Sequence, residues 1–211
     1  MASDTECGRV NLSPDQEELL AGLRSQGIEG RTVLDIGCGT GRFHHRLLQE
    51  GAVSIIGVEM SGEYLEKAKQ LARNLAHEDR VTYYAGDFLQ LAERIAPADL
   101  AILDKVIHCY HDPEHLIRES AAHTGRILAI TFPRNHWRIR WIIRIIGPLA
   151  RWVLPFRVRF SRPEDVRGWL YESGFERVTN GESGMWHTET YVRRTETGTG
   201  KQKPQDEVLR R

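Results

Sequence analysis

Apolar positions change their spacing several times along the chain, and each change marks the boundary of an element. Residues 32–36 form a short β-branched run closed by glycines, and Phe43, Leu47 and Leu48 recur behind it at helical spacing. A second buried run covers 53–58. Tyr64, Leu65, Ala68, Leu71, Ala72 and Leu75 then trace one helix face, with Ser61 as its N-cap and Glu63 in its first turn. A third strand at 81–85 leads into a short helix from Leu89, and a fourth lies at 100–103. Asp112 and Pro113 open the next helix, and a fifth strand at 127–132 follows Gly125. Five strand-then-helix units in series predict a parallel sheet covered by helices on both faces and joined by right-handed crossovers.

Beyond Pro133 the rhythm breaks. A long Trp/Ile/Arg segment runs to Phe160, and Arg162-Pro163-Glu164 then opens a helix carrying Val166, Trp169 and Leu170, which stops at Ser173-Gly174. Residues 175–178 and 185–192 predict a hairpin joined through Asn180-Gly181 and Ser183-Gly184. The expected organisation is an N-terminal helical segment (1–30), an α/β domain (31–193) with a cap inserted at 134–162, and a tail (194–211). The tail's Thr, Gly, Gln, Lys, Glu and Arg predict disorder.

Composition narrows the classes. With 211 residues, 40% of them hydrophobic, the chain can bury one substantial core. Lys and Arg number 29, as do Asp and Glu, so no global field points to nucleic acid or to an acidic partner. Cys7, Cys38 and Cys109 form no C-x-x-C pair, which argues against a disulfide framework or a zinc ribbon and for a reducing compartment. Residues 1–10 lack an apolar signal core, and no stretch of 18 uncharged apolar residues exists. A cytoplasmic protein without a membrane span is expected.

Candidate chemistry concentrates between Val33 and Phe43, where Asp35 closes a strand and Gly37, Gly39 and Gly41 carry the chain into a helix. Glycines let backbone approach a ligand closely. Asp35 at the strand end would repel a pyrophosphate but suits a ligand bearing an ammonium group. The spacing is G-x-G-x-G, and Arg42 stands where a dinucleotide fingerprint has its third glycine. The segment resembles motif I of the class I S-adenosylmethionine-dependent methyltransferases, a likeness that extends from about Arg31 to about Arg193. It implies a Rossmann-like fold, a mostly parallel seven-stranded sheet with an antiparallel C-terminal strand. It also implies S-adenosylmethionine as cofactor, its methionine end held by Asp35, Gly37, Gly39 and Gly41. Glu59 would accept from both ribose hydroxyls, Met60 would pack on adenine, Asp87 would accept from the exocyclic amine and Phe88 would sit close to the ring. Glu59 and Asp87 also admit plainer roles as helix N-terminal charge and cap. Three acidic residues at the ends of three successive parallel strands favour a ligand edge.

Asp104 ends the fourth strand and joins the expected cofactor residues; it too has a plainer role, satisfied by the following loop. After it come His108 and His111, either of which can take a proton from an acceptor hydroxyl or nitrogen. A core position bonded to backbone is the other reading of His108. Among His108, His111 and His115, Pro113 disrupts the turn that would set a pair on one face, and no metal is expected. Residues 134–162 hold eight arginines and no acidic residue, with Trp137, Trp141, Ile145, Leu149 and Trp152 on one helical face. This predicts a lid over a small, substantially apolar acceptor, with peripheral membrane contact through 134–160 as the alternative. RNA-directed or protein-directed methylation and a non-catalytic cofactor-binding domain rank lower, and oligomeric state is left open. Asp104 to Tyr110, Phe132-Pro133, the Arg/Trp cap and Gly174-Phe175 also resemble, in part, the magnesium-protoporphyrin O-methyltransferases. That family carries a histidine where His108 stands. It also uses a tyrosine near its N-terminus, whereas this chain has none before Tyr64.

Overall fold

The computed structural model describes residues 5–6, 9–134 and 162–195. The expected cap lies outside these residues apart from its ends, Arg134 and Arg162, as does the expected tail from residue 196 onward. A short antiparallel pairing of β1 (Thr5–Glu6) with β2 (Arg9–Val10) precedes helix α1 (Pro14–Gln26). The main sheet contains β3 (Thr32–Ile36), β4 (Ser54–Glu59), β5 (Val81–Ala85), β6 (Ala98–Asp104), β7 (Thr124–Pro133), β8 (Phe175–Ser183) and β9 (Trp186–Arg193). Their order is β5-β4-β3-β6-β7-β9-β8. Strands β3 to β7 pair in parallel, and β9 runs antiparallel to both its neighbours. This is the expected Rossmann-like sheet.

Helices α2 (Arg42–Gln49), α3 (Gly62–Asn74), α4 (Phe88–Leu91), α5 (Pro113–Ala122) and α6 (Pro163–Glu172) complete the layers. Neighbouring strand residues serve opposite cores, as a period of two requires. Leu34, Leu103 and Leu128 pack with Leu116 of α5 and Leu170 of α6, whereas Val33, Ile102 and Ile127 pack with Leu23 of α1 and Leu47 of α2. Helix starts follow local chemistry. Ser61 accepts from the Tyr64 amide at 3.3 Å, and Asp112 accepts from the His115 amide at 3.0 Å. Helix α4 begins one residue before Leu89, because Asp87 caps it by accepting from the Leu89 amide at 3.0 Å.

One turn falls elsewhere than expected. Asn180-Gly181 lies within β8, paired with Glu189 and Thr188, and the hairpin turns only after Ser183. A Cβ on Gly181 would stand 2.4 Å from the Glu18 side chain of α1. That glycine answers a close helix crossing, not a turn.

The chain winds outward from β3 through β4 to β5, then crosses back to place β6 on the other side of β3. Loops after β3 and β6 therefore diverge, leaving a crevice at the carboxyl edge where open α/β sheets bind ligands.

Candidate active site

Helical order begins just past a tightly wound glycine loop. The Gly37 and Cys38 amides both donate to the Val58 carbonyl, at 2.8 and 3.0 Å, and the Gly41 amide returns to the Cys38 carbonyl at 2.9 Å. Gly39 and Gly41 take φ of +55° and +80°, which a side chain would disfavour. A Cβ at Gly39 would meet no protein atom within 4 Å, so the loop is open on that side.

A cavity of about 530 Å³ opens against this loop. It gathers four of the expected residues, Asp35, Gly37, Gly39 and Asp104, with Ser13, Gln16 and Lys105. Gln16 reaches across from α1 and donates to Asp104 Oδ2 at 2.8 Å, while its own carbonyl accepts from the Ser13 amide at 3.2 Å. Lys105 pairs with Asp15, also of α1, at 2.5 Å. The Ser13-x-x-Gln16 spacing is a capping pattern visible in the sequence; that it folds over the glycine loop is not. Lys105 has no local signal and sits at φ +59°, a conformation that a non-glycine residue holds only under constraint.

Glu59 stands beside the cavity, with each oxygen on a backbone amide: Gly39 at 2.9 Å and Ser61 at 2.8 Å. A carboxylate retains acceptor capacity beyond one bond per oxygen. Asp35 is 2% exposed, and burial, reinforced by the neighbouring Glu59, pushes its carboxyl up to about 7. Burial also raises Asp104, against the opposing pull of Gln16 and Lys105. Two cations line the crevice as well, but Lys105 is paired with Asp15 and Arg42 donates to the Asn11 carbonyl, and at Asp35 burial and Glu59 prevail.

The other expected residues are dispersed. Met60 is exposed at the edge. Gly41 is buried beneath the loop as the N-cap of α2. Phe88, expected beside a bound ring, turns into the core instead; its ring is fully buried edge-on to His123, at 5.5 Å between centroids. Its amide donates to Tyr110 Oη at 3.3 Å, which ties the Asp87 segment to the loop after β6. His108 lies in a single 3-10 turn, Ile107–Cys109, half-buried, with its ring 5.9 Å from that of Trp186. Its Nδ1 is buried without a hydrogen bond, and burial moves its pKa down, favouring the neutral ring. Lys105 Nζ lies 5.1 Å from the Trp186 ring centroid. Trp186 arrives from β9, too distant in sequence to be linked to this loop by spacing. His111 and His115 are exposed, and among the described residues no three His, Cys, Asp or Glu side chains are grouped to hold a metal.

Residues 29–144, more than half of the chain, match the methyltransferase domain family. The chain belongs to that family. This methyltransferase is 29% identical over 158 residues to the ubiquinone biosynthesis O-methyltransferase of Photorhabdus laumondii, covering 70% of this chain and 63% of that protein. It is 30% identical over 164 residues to the protein of the same name from Pseudomonas aeruginosa, covering 71% and 66%. The chain therefore spans just under two thirds of the length of these relatives. Its fold matches that of magnesium protoporphyrin IX methyltransferase from Synechocystis, solved with bound SAH. The TM-score is 0.69 at 24% identity, over 85% of this chain and 84% of that one.

Proposed function

We propose that this chain is an S-adenosylmethionine-dependent methyltransferase of the cytoplasm, acting on a small, substantially apolar acceptor. The observation that carries this reading is the acidic, glycine-floored crevice made by Asp35, Asp104 and the adjoining Glu59. A ligand with a sulfonium and an ammonium group brings positive charge to Asp35, which burial and Glu59 otherwise hold against ionisation, and the open face of Gly39 leaves room for it. Asp35, Gly37, Gly39 and Gly41 would hold the methionine end, with Asp104 facing it. Glu59 would take the ribose hydroxyls, exposed Met60 would cover adenine, and Asp87 would accept from its amine while capping α4. Bound there, the cofactor supplies a methyl group on a good leaving sulfur.

The chain's own contribution is then to fix donor and acceptor in line and exclude water. The neutral ring of His108, beside the face of Trp186, suits a hydroxyl acceptor whose proton must be removed. The names of the relatives favour oxygen as the methylated atom.

Calorimetry with S-adenosylhomocysteine tests the cofactor. Asp35→Ala and Glu59→Ala should each weaken binding roughly tenfold or more, because each removes hydrogen bonds to a charged partner, commonly ~1.5–3 kcal/mol. Unchanged affinity in both folded variants sinks the assigned pocket. Labelled methyl recovered in RNA or protein rather than in an organic extract overturns the small-molecule part.

A further inference from the structure

Two consecutive histidines, His44 and His45, occupy buried positions on α2, and both are 0% exposed. His44 Nδ1 lies 2.8 Å from Asp35 Oδ2, and its Nε2 lies 3.1 Å from Tyr83 Oη. Tyr83 Oη is 3.3 Å from His45 Nε2 and 3.2 Å from the Ala68 carbonyl. His45 Nδ1 is 3.2 Å from Nδ1 of His77, which is half-buried at the end of the α3 segment. Two glycines make the room. A Cβ on Gly41 would stand 2.8 Å from His44 Nε2, and one on Gly57 would stand 3.0 Å from the Tyr83 ring.

Hydrogen bookkeeping gives this chain a direction. Burial drives His44 down to about 3, and it does the same to His45, so neither ring is charged and the contact with Asp35 is no ion pair. A neutral imidazole has one N–H and one lone pair. If Nδ1–H of His44 donates to Asp35, its Nε2 must accept, and the donor beside it is the Tyr83 hydroxyl, whose one proton is shared between His44 Nε2 at 3.1 Å and the Ala68 carbonyl at 3.2 Å. Tyr83 oxygen then accepts from His45 Nε2–H, and His45 Nδ1 accepts from His77 Nδ1–H. Each member donates once towards Asp35, and bonds aligned in this way polarise one another.

We propose that His44, oriented through Tyr83, His45 and His77, is a positioning residue that holds Asp35 as a carboxylate aimed at the cationic end of the cofactor. The assignment rests on the cofactor reading above. Asp35 is faced by Glu59 from β4, Cys38 from the loop, Asp104 from β6 and Tyr83 from β5, none of them positive, while Lys105 and Arg42 in the same cavity are engaged by Asp15 and by the Asn11 carbonyl. Arg80 acts on His77 at the far end, disfavouring a proton there. A neutral donor is therefore what the fold supplies to Asp35 until the ligand arrives.

Binding of S-adenosylhomocysteine, measured from pH 6 to 9, tests this. Affinity of the unaltered protein should fall as pH drops through about 7, where Asp35 takes up a proton. His44→Leu removes a donor to the charged form, so it raises that carboxyl further and moves the fall to higher pH. Binding at pH 7 should drop roughly tenfold per unit moved and recover towards normal at pH 9. His44→Asn, which can still donate from the Nδ1 position, should restore most of the profile, and Tyr83→Phe should lie between. Loss of affinity by the same factor at every pH, or no loss, assigns His44 to packing and overturns the proposal.

If His44→Leu does not fold, Tyr83→Phe decides by the same profile. Nitrogen chemical shifts of the ligand-free protein separate this idea from the cofactor reading. They should show His44 neutral with its proton on Nδ1, the less common tautomer of free imidazole. A proton on Nε2 overturns the relay even where cofactor binds, whereas the expected tautomer without any binding refutes the cofactor reading instead.

Discussion

Asp35 and Glu189 are both buried carboxylates, one on each half of the same sheet, and they are treated oppositely. Glu189, fully buried on β9, has Arg167 and Arg177 at 2.5 and 2.8 Å and His187 at 2.9 Å on one oxygen, while the Tyr191 hydroxyl donates to the other. Burial alone would push its pKa up, but the bonds from His187, Arg167 and Tyr191 outweigh it and bring the carboxyl down to about 2. Asp35 has a neutral histidine and a second carboxylate for neighbours, and rises to about 7. Where the fold itself completes the charge, a buried acid stabilises structure. Where the fold withholds the counter-charge, the site is left to gain it from a ligand.

The largest loss that probes this contrast is on Glu189. Removing one partner of a buried ion cluster typically costs ~3–5 kcal/mol. Arg167 and Arg177 are each about one third exposed and can rehydrate in part. Glu189→Gln should therefore lose about 3 kcal/mol, the lower end of that range, in urea unfolding. Its affinity for S-adenosylhomocysteine should stay within twofold of normal. A stability loss below 0.5 kcal/mol would show that the cluster is ornamental.

Asp35→Asn should act in the opposite sense. The folded-state carboxyl is raised, so it is neutral at little cost below about pH 4. Stability is lost as pH climbs from there through about 7. An asparagine has no such loss, and the ligand-free variant should equal the parent near pH 4. At pH 8 it should exceed the parent by about 4 kcal/mol, about three pKa units at about 1.4 kcal/mol each. Glu189 bends the curve at the other end. Its depressed pKa contributes stability above about pH 4.5 that disappears as pH falls towards 2. Unfolding free energy measured from pH 3 to 9 in both variants checks both limbs, and a flat difference for Asp35→Asn refutes its unpaired state.

The sequence made one half of this comparison far easier to see than the other. Asp35, Gly37, Gly39 and Asp104 belong to strand ends and the loop after one of them, so the strand-then-helix alternation set them at one edge and the family resemblance supplied their expected roles. Gln16, Lys105 and Trp186 reach the same edge only through the packing of α1 and β9. No short-range pattern announces such contacts. His44 and His45 left a trace, since two polar residues interrupt the apolar stripe of Phe43, Leu47 and Leu48, but the partners behind them lie on β5 and after α3. Asn180-Gly181 shows the converse error. A dipeptide that usually turns the chain is held straight because Gly181 must admit Glu18.

The smallest effect refines the Glu189 side. Tyr191 is buried, its hydroxyl serves Glu189 Oε2, and the three basic side chains all converge on Oε1. Tyr191→Phe keeps the ring and its packing but leaves one carboxylate oxygen without that donor. The expected loss is about 1.5 kcal/mol, the low end for a hydrogen bond to a charged group, because the arginines still neutralise the charge. The same change should lift the Glu189 pKa, since the hydroxyl is one of the bonds holding it down, so the acid limb of the stability curve should begin at higher pH. Cofactor affinity should be untouched. If instead Tyr191→Phe weakens S-adenosylhomocysteine binding as strongly as Asp35→Ala does, the two carboxylates are energetically coupled across the sheet, and the division between a structural acid and a ligand-seeking one is wrong.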